Sequence, residues 1–292
     1  MRNRTIQTAL LSVIPLFLLG ALVCRYDNRR WGTERYRFWH DKVTSGADYD
    51  LVVIGDSRAL SAVSPAILAE HLPGRRILNF AFMAGGLNPE IYHEADRRLA
   101  ADSPGRIILV GCSPLSLTED SALNRHLHEV QADWLYTGAP RPIRALASFL
   151  EPVQVLEFYH AVRGVRRRFD YDDNGWRPQD RFPITTRYRA PMPTVSPRLR
   201  QDLLDAVADW TAKGIAVFVF RPPTTAAGRR QRDLGSGYDE STFKASIAAA
   251  GGHWLDTDTR PYACIDGSHL SKAASCELSH DLGRAMAEIL GR

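Results

Sequence analysis

Asp50 to Leu60 reads DLVVIGDSRAL, and the fold turns on this stretch. Leu51 to Ile54 is a short apolar run, the pattern of a strand covered on both faces. Gly55, Asp56 and Ser57 stop it, and a helix-compatible segment follows. A small residue before a hydroxyl lets the backbone turn sharply, which leaves Ser57 at the carboxyl end of a strand, facing a helix N-terminus. Free N–H groups and the helix dipole stabilise negative charge there, so the position suits a nucleophile. Gly, Asp and Ser also build ordinary turns, so GDS alone does not establish chemistry. A second motif stands near the other end of the chain: Asp266, Gly267, Ser268, His269 and Leu270.

Between the two motifs, strands alternate with helices. Ser64 and Pro65 read as an N-cap and a first helical position, opening a short helix over Ala66 to His71. A strand is expected at Arg76 to Phe80, then the glycine-bearing loop AFMAGGL from Ala81 to Leu87, then a helix at Pro89 to Ala101. Arg106 to Val110 is a third strand, ending at Gly111, Cys112 and Ser113. Pro197 to Lys213 is a helix with Leu199, Leu203, Leu204, Val207 and Trp210 on one stripe, closed by Gly214. Strands follow at Ile215 to Phe220 and His253 to Leu255, with helices at Tyr238 to Ala250 and Ser271 to Leu290. This alternation predicts an α/β protein: a parallel sheet with helices on both faces, in a flavodoxin-like three-layer α/β/α sandwich. Such sheets place sites beyond the carboxyl ends of their strands, where Ser57, Gly85, Ser113 and His269 all fall.

IGDSR followed far downstream by DGSHL resembles the GDSL/SGNH hydrolase superfamily of esterases, lipases and O-acyltransferases. The resemblance spans roughly Asp50 to Arg292. It implies Ser57 as nucleophile, with His269 and Asp266 of the D-x-x-H pattern completing a triad. The chemistry fits those residue types. A serine hydroxyl needs a base within hydrogen-bond reach, and an imidazole needs a partner on its other nitrogen. Asp266 has a second reading, as a cap for the closing helix. Asp56 is expected to hold the turn. The resemblance also implies an oxyanion hole from the backbone of Ser57 and of a loop glycine, Gly85 first and Gly86 next. A loop glycine needed only for positive φ is the competing reading. In the family's third block, Gly-x-Asn supplies a carboxamide; here the position holds Ser113, which reaches less far. Asn79 and Asn88 are candidates to compensate. Arg58 and Arg221 are candidate substrate-binding residues, and for Arg221 a purely structural loop role is an equal alternative. Cys264 and Cys276 flank the second motif and can close a disulfide outside the cytoplasm, or remain free thiols. Cys112 rivals Ser57 only if its thiol pKa is lowered.

The chain has 292 residues, 45% hydrophobic, enough for a real core, and a net charge of +4 that falls far short of a nucleic-acid footprint. Residues 1–24 form the candidate membrane anchor. Thr5 to Val23 carries no charge, and at ~1.5 Å per residue it just spans a ~30 Å hydrocarbon core. Arg2 and Arg4 precede it, and Arg25, Arg29 and Arg30 follow. No A-x-A site follows, and Val23 is too bulky for a lipoprotein site at Cys24. The expectation is an uncleaved, single-pass signal anchor in the cytoplasmic membrane with the remainder outside; a buried core helix is the alternative. Residues 25–49 read as a juxtamembrane helix whose aromatic residues suit either the membrane interface or packing on the domain. Residues 50–292 form the catalytic domain, carrying a helical insertion at about 114–196. Helices are expected there near Glu119 to Leu135 and Pro142 to Arg168, with an extended loop from Phe169 to Ser196, the whole forming a cap beside the site. Arg163, Arg166, Arg167 and Arg168 make either a solvated face or an anion site. His126, His128 and His160 lack metal-ligand spacing, and no metal or cofactor is expected.

Taken together, the anchor, the insertion and the missing Asn resemble the membrane-anchored branch that acylates glycans. The expected function is an extracytoplasmic serine acylesterase or O-acyltransferase acting on cell-envelope or exopolysaccharide glycans. Its partners would be a glycan or acyl-donor substrate and a membrane-bound acyltransferase. A hydrolase of small esters or lipids, and a catalytically weak glycan-binding or scaffold protein, are the alternatives.

Overall fold

The computed structural model describes residue 15 and residues 33–140, 143–144, 147, 170–179, 193–258 and 260–291. The expected anchor at Thr5 to Val23 lies outside these residues except for Pro15, and the arginine cluster at 163–168 and His160 lie outside them too. Among the described residues, no helix is long and apolar enough to cross a membrane. The chain divides into two compact units, residues 1–44 with 129–171, and residues 45–128 with 172–292.

In the first unit, helix α1 (Thr33–Thr44) buries Tyr36, Phe38 and Trp39. Tyr36 stacks on Tyr136 at 4.8 Å, and Phe38 meets Trp39 edge-on at 4.7 Å. These three aromatic side chains are therefore used in packing.

The second unit is built on β1 (Leu51–Gly55), every residue of which is buried. Helices α2 (Ser57–Ala62) and α3 (Pro65–His71) lead to β2 (Ile77–Asn79), and α4 (Pro89–Asp96) leads to β3 (Ile107–Gly111). The expected helix from Glu119 to Leu135 is broken. A 3₁₀ turn at Ser121–Leu123 ends on left-handed Asn124, α5 (Arg125–Ala132) follows, and a separate α6 (Trp134–Thr137), capped by Asp133, belongs to the first unit. Then come α7 (Pro197–Ala212), β4 (Ala216–Phe220), α8 (Ala226–Asp233), α9 (Glu240–Ala249), β5 (His253–Leu255) and α10 (Lys272–Ile289). The sequence of α8, AAGRRQRD, carries no apolar stripe, so nothing in the pattern of residues marks it as a helix.

All four strand pairings are parallel, in the order β2-β1-β3-β4-β5. Right-handed crossovers in that order put α3 and α10 on one face and α4, α7 and α9 on the other. The chain reverses direction across the sheet between β1 and β3, and ligands of open α/β sheets bind outside the carboxyl ends at that point. Gly55 and Gly111 face each other there in register. A Cβ on Gly55 would lie 2.8 Å from the Ala59 methyl, and one on Gly111 would lie 2.6 Å from it. Two bare backbones thus form the seat on which α2 starts directly after β1. That close seating puts Ser57 at the end of the sheet.

Candidate active site

Asp56 caps α2: its carboxylate accepts the Arg58 N–H at 2.9 Å, and Ser57 becomes the first helical residue. The Ser57 hydroxyl lies 2.9 Å from His269 Nε2. His269 arrives on a loop closed by two backbone bonds, Ile265 N–H to the His269 carbonyl and Ser271 N–H to the Ala263 carbonyl, both at 2.9 Å. The Gly267 carbonyl of this loop accepts the Thr225 N–H at 3.1 Å, which anchors the loop to the segment before α8. Asp266 turns back on the same loop. Its Oδ1 accepts the N–H groups of Ser268 at 3.0 Å and His269 at 2.8 Å, and its Oδ2 lies 2.8 Å from His269 Nδ1. Burial would raise the Asp266 pKa, but the hydrogen bonds and charge of His269 outweigh it and hold the carboxyl well below the usual range. An ionised Asp266 accepts only, so Nδ1 carries the imidazole proton and Nε2 is left to accept from Ser57. The three side chains form one relay, and the capping role of Asp266 serves its own loop. The closing helix α10 is capped instead by Ser271.

The oxyanion candidates separate. Gly86 donates its N–H to Asn124 Oδ1 at 2.8 Å, whereas Gly85 makes only a long 3.4 Å bond to the Phe82 carbonyl. A Cβ on Gly85 would sit 3.2 Å from the Gly55 carbonyl oxygen, so this glycine borders the nucleophile turn. Its N–H is the less committed of the two. The expectation for Ser113 needs correction. Its hydroxyl is fully buried, accepts from Arg58 Nη2, and accepts the Ser116 N–H at 3.3 Å. It is held inside the protein by these partners. Asn79 and Asn88 are engaged inside the fold as well. Asn79 donates to the carbonyls of Ala59 at 3.0 Å and Val63 at 2.8 Å, closing the end of α2. Asn88 caps α4 and donates to the Ala122 carbonyl at 2.7 Å.

Neither arginine expected to bind substrate is free to do so. Arg58 is buried and grips both oxygens of Asp56 through Nε at 3.1 Å and through Nη2. Burial alone would raise the Asp56 pKa, and the Arg58 charge and hydrogen bonds reverse that and lower it. Arg221 is buried at 6% exposure and held by Asp233 at 2.5 Å and Glu240 at 2.6 Å. Cys264 and Cys276 are free thiols, so the disulfide between them is not made. Burial pushes the Cys112 thiol up to about 12, which removes it as a rival nucleophile. His128 pairs with Glu90 at 2.8 Å, and among the described residues no group of three His, Cys, Asp or Glu could hold a metal ion.

One contribution had no sequence signal. The segment Asp172 to Gln179, read as extended loop, lies against α2. Trp176 Nε1 donates to the Ser61 carbonyl at 2.8 Å and Gln179 to the Ser61 hydroxyl at 3.1 Å. Ser61 in turn donates to the Ser57 carbonyl at 2.8 Å.

No protein-family model matches the chain, and no curated protein matches it. Among solved structures it is similar to a Streptococcus pneumonia protein named for platelet activating factor, with 12% identity over 92% of this chain and 98% of that one and a TM-score of 0.41. It is also similar to the inhibitor-bound aryl esterase of M. Smegmatis, with 14% identity over 82% and 97% and a TM-score of 0.34. A third similarity is to a carbohydrate acetylesterase from Sinorhizobium meliloti, with 16% identity over 82% and 97% and a TM-score of 0.34.

Proposed function

We propose that this protein is a serine acyl-transfer enzyme, an esterase or O-acyltransferase with Ser57 as nucleophile. The observation that carries the reading is the relay from Ser57 to His269 to Asp266, at 2.9 and 2.8 Å. Ser57 Oγ attacks the acyl carbonyl as His269 Nε2 takes its proton, and Asp266 stabilises the imidazolium through Nδ1–H. The carbonyl oxygen, now negative, faces the N–H groups of Ser57 and Gly85. Collapse of the tetrahedral intermediate breaks the ester bond, and His269 returns its proton to the departing alcohol. Water or a sugar hydroxyl then attacks the acyl-enzyme, with His269 again as base and Ser57 as leaving group.

The proposed acyl acceptor or ester substrate is a glycan of the cell envelope or an exopolysaccharide. The support is the uncharged span Thr5 to Val23, flanked by arginines, which would hold the enzyme at the outer face of the cytoplasmic membrane. A membrane-bound acyltransferase is the matching partner, as a source of acyl groups on that side.

The test is intact-mass detection of an acyl-enzyme after mixing with p-nitrophenyl acetate, in wild type, Ser57→Ala and His269→Ala. An acetyl adduct on the wild type that disappears in Ser57→Ala supports the reading, and acceptor glycans then separate transfer from hydrolysis. Absence of an adduct, or turnover unchanged in Ser57→Ala, overturns it in favour of a glycan-binding protein.

A further inference from the structure

Among the described residues, two that are not glycine adopt left-handed backbone: Ala84 at φ 48° and Asn124 at φ 45°. They are 40 positions apart in sequence, yet both belong to one local arrangement. Ala84 directly precedes Gly85, and Asn124 Oδ1 accepts the N–H of Gly86 at 2.8 Å. Left-handed backbone strains any residue with a Cβ, alanine more than asparagine, and persists only where the surroundings hold it. The strain therefore locates a segment that is held in place, the loop from Phe82 to Leu87.

The hold has two sides. Toward the nucleophile, Phe82 donates its N–H to the Gly55 carbonyl at 3.2 Å, and Gly85 packs its bare Cα beside the same oxygen. Away from it, Gly86 presses on the Ser121 and Ala122 backbone so closely that a Cβ would come within 2.4 Å of the Ser121 carbonyl carbon. Leu87 N–H donates to the Ser116 carbonyl at 2.8 Å. Asn124 is the side chain that closes this second side. It is 1% exposed, and a backbone N–H can only donate, so the orientation of its carboxamide is set by Gly86. Its Nδ2 is buried without a hydrogen-bond partner. A strained backbone and an unpaired buried donor are both unfavourable, and an ordinary neutral hydrogen bond is a modest return for them. What the arrangement secures is the Gly85–Gly86 peptide, and with it, across the Gly85 Cα, the neighbouring Ala84–Gly85 peptide that carries the Gly85 N–H.

We infer that Asn124 is a positioning residue: its Oδ1 holds Gly86 so that the adjacent Gly85 N–H faces the developing oxyanion. This rests on the acyl-transfer reading and adds to it a residue from outside the stretches that carry Ser57, Gly85 and His269. Asn124 acts through the loop and touches no reacting atom.

Asn124→Gly is the decisive variant. Glycine adopts the left-handed backbone without strain, so the turn is preserved while the acceptor is removed. Asn124→Asp keeps both the acceptor and the tolerance of the left-handed region and removes the unpaired NH₂. Two readouts are taken on each full-length protein, hydrogen exchange of the Phe82–Asn88 peptide and steady-state ester hydrolysis. In Asn124→Gly the peptide is expected to exchange roughly tenfold faster, with other peptides unchanged. The same variant should lose roughly 10- to 100-fold in kcat with KM little altered, the signature of a donor used in the transition state. Asn124→Asp should restore slow exchange and most of kcat. Unchanged exchange in Asn124→Gly overturns the inference, and so does an Asn124→Asp protein as open and as slow as the glycine variant. If the wild type never acylates at Ser57, the acyl-transfer reading falls by itself, and exchange still decides whether Asn124 holds the loop.

Discussion

Arg58 Nη2 donates to the Ser113 hydroxyl, tying the turn after β1 to the end of β3. The same guanidinium pairs with Asp56, and both side chains are almost fully buried, at 4% and 5% exposure. Removing one member of a buried pair strands the other charge and typically costs about 3–5 kcal/mol, whereas removing both is far less damaging. Arg58→Met is therefore expected to lose about that much stability. Asp56→Asn combined with Arg58→Met should recover more than half of it, because asparagine still caps α2. Urea unfolding of the single and double variants measures this. A double variant no more stable than Arg58→Met would show that charge pairing is not what the site contributes.

Asp266 is expected to tolerate no isosteric change. Its Oδ1 faces two backbone donors, so an asparagine there would keep its oxygen toward Ser268 and His269 N–H and turn its NH₂ toward His269 Nδ1. Nδ1 would then have to accept, the proton would move to Nε2, and the imidazole could no longer accept from Ser57. Asp266→Asn should lose roughly 10³- to 10⁴-fold in kcat with its circular dichroism unchanged. Steady-state hydrolysis of p-nitrophenyl acetate checks it; a loss below tenfold would mean that Asp266 does not set the tautomer.

Arg221 is expected to matter for stability and not for substrate. It is enclosed by Asp233 and Glu240, and Glu240 also holds Arg229 at 2.8 Å. Arg221→Met leaves Asp233 without its cation while Glu240 keeps Arg229, so the protein should lose about 1–3 kcal/mol while KM stays within about threefold of wild type. A large rise in KM without loss of stability would restore Arg221 to the substrate site.

The scaffold was largely legible because β1, β3 and β4 are buried on both faces and announce themselves as apolar runs bounded by glycine, proline and caps. Ser57, His269 and Asp266 stand out in the sequence because each sits in a short motif at a strand or loop end, and the fold brings the three side chains together. What the sequence could not convey was side-chain commitment. Arg58, Arg221 and Ser113 lie at the expected edge, but their charges and hydroxyl are consumed by partners such as Asp233 and Glu240 that only the folded loops bring near. Asn124 was invisible for a related reason: it lies inside an expected helix, and its left-handed backbone depends on a contact with Gly86.

Asp50 makes part of the stability pH-dependent. Its Oδ2 accepts the Arg76 backbone N–H at 2.8 Å and Arg76 Nε at 3.2 Å, joining the starts of β1 and β2. Burial raises its pKa, but the hydrogen bonds from Arg76 and Ser103 and the Arg76 charge lower it further, to about 2 from an ordinary 3.8. The folded form therefore binds its proton less readily than the unfolded chain does. The stabilisation is complete above the unfolded value and disappears as pH falls through the folded one. Asp50→Asn should consequently be less stable than wild type at pH 6, with a gap that closes between about pH 4 and pH 2. Urea midpoints of both proteins at pH 6, 4, 3 and 2 provide the comparison. A gap that does not change with pH would assign the loss to packing or to the neutral hydrogen bond, and would remove Asp50 from the acid sensitivity of the fold.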